Sequence, residues 1–164
     1  MAAAEDIAKI IEQEQGLVFA QFDESMAFSL GARVRERAVR EKLGLVVDIR
    51  TWDRPMFYCA MPGTTADNPE WVRRKFNVVR RLQKSTYRLV LEQNREDRLF
   101  PPTRALDAAD YVLAGGGFPL RIKGFGPIGC LTISGLHERD DHQVAVDAVC
   151  EELGLDKAAF TLAK

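Results

Sequence analysis

Apolar positions along the chain fall into alternating blocks of helical and strand period. Ile7, Ile10 and Ile11, spaced among Glu5, Asp6, Glu12 and Glu14, predict a short amphipathic helix from Met1 to Gln15, ended by Gly16. Leu17 to Phe22 alternates with aromatic and branched residues and predicts a short strand. Ser25 then caps a helix running to Leu43, with Gly44 as its stop and Ala27, Leu30, Val34 and Ala38 as its buried stripe. Leu45–Ile49 and Met56–Met61 are apolar runs joined by Trp52-Asp53-Arg54-Pro55, which predicts a hairpin. Past the breaker-rich loop 62–69, Asn68 and Pro69 form a cap and first-turn pair. The helix they open is expected to be the longest, since Val72, Phe76, Val79, Leu82, Leu89 and Val90 keep one face apolar to Gln93. Gly115–Ile122 and Ile128–Ser134, joined through Lys123-Gly124-Phe125-Gly126, predict a second hairpin. Asp140 and Gln143 form a capping-box pair for a last helix with Val146, Val149, Cys150 and Leu153 inward. Hairpins must be antiparallel, and helices before, between and after them cover both faces of one sheet, so the fold class is α+β, an α/β/α sandwich.

Composition narrows the class. The 164 residues suit one domain, taken as 1–164, and 46% hydrophobic with 29% charged residues is ordinary for a globular chain. Basic and acidic residues number 23 and 24, a net charge of −1, which excludes a histone-like polycation. Cys59, Cys130 and Cys150 are odd in number and lack a C-x-x-C pair, which argues against a disulfide framework or zinc ribbon and for a reducing, cytoplasmic setting. No apolar run reaches the ~20 residues of a membrane span, and the first residues carry no signal-like basic-then-apolar pattern.

Three places hold candidate chemistry. Gly115-Gly116-Gly117 either lets the backbone approach an anion or bends the chain at a strand entry; it is neither a Walker loop nor a G-x-G-x-x-G fingerprint. The segment Trp71–Arg104 carries ten basic residues, Lys75 among them, against three acidic ones. Such a surface serves as a solvated helix face, a subunit interface or a site for a small anion. Nucleic acid is disfavoured by the overall charge and the absence of a binding motif. The two histidines, His137 and His142, lack the H-x-x-x-H spacing of zinc enzymes, and with Glu138, Asp140 and Asp141 they form at most a mixed oxygen/nitrogen set. His142 sits four residues before Val146 and so faces inward, where it serves as an iron ligand, a proton carrier or a histidine held by neighbouring carboxylates.

The stretches Gly115–Ile122 and Gly129–Gly135, followed by Asp140-Asp141-His142, resemble the GlcG/HbpS-like family. Met61-Pro62-Gly63-Thr64-Thr65 and Asp67–Lys75 resemble its stand-alone branch of haem-degrading-domain proteins. The resemblance implies a profilin-like three-layer α/β/α sandwich with a central antiparallel sheet and assembly into dimers or larger rings. It also implies that haem or another tetrapyrrole is a candidate cofactor, with His142 as the iron ligand, and it carries Gly116, Pro119, Arg121, Asp141 and His142 over as shared positions. Haem attachment through C-x-x-C-H is absent. The expected protein is a cytosolic homo-oligomer that binds a small anion through Lys75, Gly116, Gly117, Pro119, Arg121, Asp141 and His142. The alternative is an oligomeric scaffold, since no complete catalytic set is visible.

Overall fold

Two hairpins lie side by side and form most of one sheet. The structure, a computed structural model, describes residues 2–164. Met1, the first residue of the expected opening helix and of the expected 1–164 domain, lies outside the described residues. The elements are α1 (Ala2–Gly16), β1 (Val18–Phe19), α2 (Glu24–Glu41), β2 (Val46–Thr51), β3 (Pro55–Ala60), α3 (Asp67–Leu82), α4 (Thr86–Gln93), β4 (Gly117–Ile122), β5 (Gly126–Ser134) and α5 (Glu138–Leu153). The sheet order is β1-β4-β5-β2-β3. The sheet is antiparallel except at one edge, where Val18 and Phe19 of β1 run parallel beside Arg121 and Ile122 of β4. A two-residue edge strand reached from a preceding helix has no hairpin to fix its direction, which is why turn chemistry did not indicate the parallel pair.

Side chains alternate across the sheet and give its two faces different characters. One face carries Val47, Ile49, Phe118, Leu120, Leu131 and Ile133 against Ala27, Leu30, Val34 and Ala38 of α2 and Ala145, Val146, Val149 and Cys150 of α5, forming the main core. The opposite face lies under α3, where Phe76 and Val79 meet Cys130. The helices thus cover both faces, as an α/β/α sandwich requires.

Several boundaries differ from the sequence expectation. Asp23, not Ser25, caps α2, its Oδ1 accepting the Met26 amide at 2.9 Å, and the helix stops at Lys42 in the left-handed region rather than at Gly44. The Asp140–Gln143 capping box does not form. His137 caps α5, Asp140 lies within its first turn, and Gln143 bonds Asp147 and the Leu162 amide. The expected long helix is two helices, broken where Gln83 turns left-handed. The break is rewarded by distant partners. Glu14 of α1 accepts the Ser85 amide at 2.7 Å and pairs with Arg88 at 2.7 Å, which caps α4. Leu89 then packs with Val78, Phe100, Leu106 and Leu113 in a cluster of its own.

Among the described residues no helix is long and apolar enough to cross a membrane.

Candidate functional site

The N-terminal ends of α3 and α5 converge beside the glycine-rich entry to β4. Between them lies a cleft of about 240 Å³ lined by Asn68, Trp71, Lys75, Gly115, Glu138 and Asp141, with Ser134 to Leu136 on its floor. Lys75 reaches it because α3 crosses the sheet at the β4 and β5 end, placing the inward-facing lysine over the last residues of β5. Its side chain is 4% exposed. The Nζ donates to the Ile133 carbonyl at 2.9 Å and to Asp141 Oδ2 at 3.3 Å. Asp141 also accepts the Leu136 amide at 2.9 Å on Oδ1 and so ties the β5–α5 connection to its own helix.

Electrostatics in the cleft are set by burial. Burial pushes the Asp141 carboxyl up to about 6, against the opposing pull of Lys75 and the Leu136 and Gly135 amides. Burial also pushes the Lys75 ammonium down, with Asp141 opposing. Glu138 is held by Arg98, whose Nη1 donates to Oε1 at 3.2 Å and whose Nη2 bonds Oε2. Both cleft carboxyl groups therefore have a cationic partner.

The glycines do different jobs. Gly116 has φ +130, and a Cβ there would stand 2.2 Å from the Ile133 carbonyl oxygen and 2.8 Å from Lys75 Nζ. Only glycine combines that backbone angle with the buried lysine. The Gly117 amide is already used, donating to Thr86 Oγ1 at 2.9 Å. Pro119 is buried in β4 opposite Cys130.

Of the residues singled out from sequence, Lys75 and Asp141 line the cleft, with Gly116 packed against both. Gly117 and Pro119 lie behind it in the sheet. Arg121 is not brought to it: five strand residues from Gly116, ~16 Å of extended chain, it borders a separate hollow with Gln15, Val18 and Lys123. His142 is not brought there either. It is fully buried, and its Nε2 pairs with Gln13 Oε1 at 2.7 Å. Gln13 is oriented by its own amide, which donates to the Phe160 carbonyl at 2.6 Å, so Nε2 carries the histidine proton and Nδ1 keeps a bare lone pair. Tyr87 and Phe118 flank the ring at centroid distances of 5.6 and 6.0 Å. The inward reading of the helix period was correct, but inward here means core. Nor do the acids and histidines around residue 140 assemble: among the described residues no group of three or more His, Cys, Asp or Glu side chains is placed to hold a metal ion.

Sequence reasoning missed Asn68, Ser134 and Gly135 as wall residues and Glu138 as a member of this cleft. Asn68 was read as a helix cap, but α3 starts at Asp67 with Ala66 as its cap, so Asn68 lies inside the first turn. Its Oδ1 accepts the Thr65 amide at 2.9 Å, while its amide reaches toward the Ser134 carbonyl at 3.5 Å.

An α/β/α sandwich with a buried lysine–carboxylate pair at a glycine-rich strand entry defines the class of protein. The family model described as haem degrading protein HbpS-like matches residues 22–150, and the chain belongs to that family. It is 58% identical over 163 residues to a UPF0303 protein of Mesorhizobium japonicum, covering 99% of this chain and 98% of that one. It is 60% identical over 156 residues to a UPF0303 protein of Brucella melitensis, covering 95% and 92%. Among solved structures, the Ybr137w protein matches with a TM-score of 0.80 at 23% identity over 88% of this chain and 86% of its own. HbpS matches at 0.64 and 17% identity over 83% and 92%, and a PduOC:heme complex at 0.66 and 20% over 87% and 96%. These likenesses establish the fold.

The buried histidine gives a pH signature. Burial, with Arg139 nearby, pushes His142 down to about 3 from an ordinary 6.5. The unfolded chain takes up a proton below 6.5 that the folded chain refuses, so this contribution to stability is complete above 6.5 and is lost as pH falls toward 3, by about 1.4 kcal/mol per pH unit. Asp141 works oppositely: raised to about 6 from 3.8, its contribution is complete below 3.8 and lost as pH rises through 6. The two slopes offset in the window they share. In urea unfolding at a series of pH values, a His142→Leu variant is expected to gain stability relative to the parent as pH falls from 6.5 to 4. A constant difference over that range contradicts the assignment.

Proposed function

We propose that the chain is a small-ligand-binding protein of the HbpS-like type whose cleft captures a small carboxylate or another small anion. One observation carries this reading. A buried lysine nitrogen, paired with Asp141, lies in the cleft wall between the positive ends of two helices, and the other nearby carboxyl group, Glu138, is held by Arg98. The ligand is small because the cleft is, at about 240 Å³. A haem does not fit there: the wall offers two carboxyl groups and no accessible imidazole, and His142 has no open path to an iron.

Self-association belongs to the same proposal. The outer edge of β3 has no strand partner among the described residues, Tyr58 on it is 48% exposed, and Phe28 of α2 nearby is 66% exposed. Free thiols at all three cysteines support a reducing, cytosolic setting.

Family membership and the likeness to a heme-bound PduOC favour a second reading, haem-type binding at another place. The residues there are His137, whose Nδ1 accepts the Arg139 amide, and a groove of about 360 Å³ with Leu43, Leu136, Val144 and Arg37. His137 is exposed, its Nε2 has no hydrogen bond among the described residues, and the groove supplies an apolar wall beside Arg37, whose guanidinium is paired with Glu41 and Asp147. The iron would supply the redox chemistry; the chain's own residues hold and orient the macrocycle.

For the cleft, thermal-shift titration with small carboxylates and inorganic phosphate is expected to show saturable stabilisation. It should weaken at least about tenfold in Asn68→Asp, which adds a negative charge to the wall, and be unchanged in Arg121→Ala. Sensitivity to Arg121 with indifference to Asn68 overturns the proposed site. For the second reading, haemin titration followed at the Soret band is expected to lose its specific spectrum in His137→Ala and keep it in His142→Ala. A parent-like spectrum in His137→Ala removes the groove as the haem site.

A further inference from the structure

We infer that Lys75 is a covalent capture residue, whose amine condenses with the carbonyl carbon of a small 2-oxo acid held in the cleft to give an imine and water. The inference rests on the reading of the cleft as a carboxylate site and adds the second functional group that the ligand carries.

The hydrogen-bond arithmetic at Nζ carries the argument. A neutral amine has two N–H donors and one lone pair, whereas an ammonium has three donors. Two acceptors face the nitrogen, the Ile133 carbonyl at 2.9 Å and Asp141 Oδ2 at 3.3 Å. In a side chain this buried, the ammonium of the Lys75–Asp141 ion pair has one donor more than the acceptors beside it; when its proton passes to Asp141, the amine keeps both of its hydrogens satisfied and its lone pair uncommitted. The lysine is nonetheless a wall of the cleft. No side chain stands against the nitrogen from the strand entry, because the residue there is Gly116, whose missing Cβ would lie 2.8 Å away. Burial pushes the amine's proton affinity down, which raises the share of the nucleophilic form. Asp141, pushed up to about 6, is protonated often enough to act as an acid and ionised often enough to act as a base. The six other lysines, Lys9, Lys42, Lys84, Lys123, Lys157 and Lys164, lie outside this cleft.

The step balances without any further reagent. The lysine lone pair forms the C–N bond as the carbonyl π pair moves to oxygen, which takes the proton of the Asp141 carboxyl. The nitrogen returns a proton to the Asp141 carboxylate, giving a neutral carbinolamine. That proton then goes to the hydroxyl, which leaves as water while the nitrogen lone pair closes the C=N bond. The product is a protonated imine beside an ionised Asp141, so the buried cation and anion are both retained.

The test is reductive trapping on the intact chain. Protein is incubated with pyruvate and sodium cyanoborohydride, and adducts are located by peptide mass mapping. Lactate, the same acid without a carbonyl, is run in parallel, and both ligands are also assayed by thermal shift. The expected result is an adduct at Lys75 formed at least about tenfold faster than at Lys9 or Lys123, and none with lactate. Lys75→Arg keeps the charge and the donors but lacks the nucleophile and is expected to lose the adduct with its circular dichroism spectrum unchanged. If that variant fails to fold, the rate comparison among lysines of the parent chain decides the matter. Modification of Lys75 no faster than that of the exposed lysines overturns the inference. Equal thermal stabilisation by pyruvate and lactate with no trapped adduct also overturns it and leaves the carboxylate-binding reading standing. No stabilisation by either acid together with no adduct overturns both.

Discussion

An ammonium group taken out of water needs acceptors and a counter-charge, and Lys75 finds them where α3, α5 and the end of β5 meet. Desolvating two charges costs several kcal/mol each, and the pair is tolerated only when its geometry is good and further hydrogen bonds satisfy it. Those conditions propagate outward. Asp141 must sit in the first turn of α5 with its second oxygen on the Leu136 amide, which fixes how the chain leaves β5. Residue 116 must be glycine, because at φ +130 a Cβ would stand 2.2 Å from the Ile133 carbonyl oxygen and crowd the lysine nitrogen at 2.8 Å. The cleft is what remains between the two helix ends once the pair is in place.

A second polar layer supports the first from behind. Glu14 caps α4 through Ser85 and Arg88, and α4 in turn presents Thr86 to the Gly117 amide. Gln13, one residue earlier, is held by the Phe160 carbonyl and engages His142, the neighbour of Asp141. Helix α1 and the short turn Lys157–Phe160 thus reach both the glycine-rich strand entry and the last helix through buried polar contacts. Buried polar groups of this kind specify one arrangement because each loses its partner if the element shifts.

What was legible in the sequence is what local periodicity and turn chemistry control. The α2 stripe of Ala27, Leu30, Val34 and Ala38 is the buried face in the structure, and both hairpins form at the turns that Pro55 and Gly124 suggest. The break after Leu82 was not legible, because Glu14, which caps α4, comes from a helix 71 residues earlier. For the site, Lys75, Gly116 and Asp141 stood out through charge, glycine content and family resemblance. Their mutual contact, and the presence of Asn68, Ser134 and Glu138 beside them, depends on how α3 and α5 cross the sheet, which no local pattern encodes. Arg121 shows the converse. Five residues from Gly116 is close in sequence, but an extended strand carries the side chain to the far end of the sheet.

The central claim is that Lys75 and Asp141 act as one unit, and a double-mutant cycle tests it most directly. Unfolding free energies of the parent, Lys75→Met, Asp141→Asn and the double variant give the coupling between the two positions. The account predicts that each single change is strongly destabilising, Lys75→Met by about 3–5 kcal/mol because it leaves a buried carboxylate unpaired. The double variant should be less damaged than the sum of the two by at least about 2 kcal/mol. Single losses that add to within about 0.5 kcal/mol would show two independent residues that happen to be adjacent, and would contradict the account.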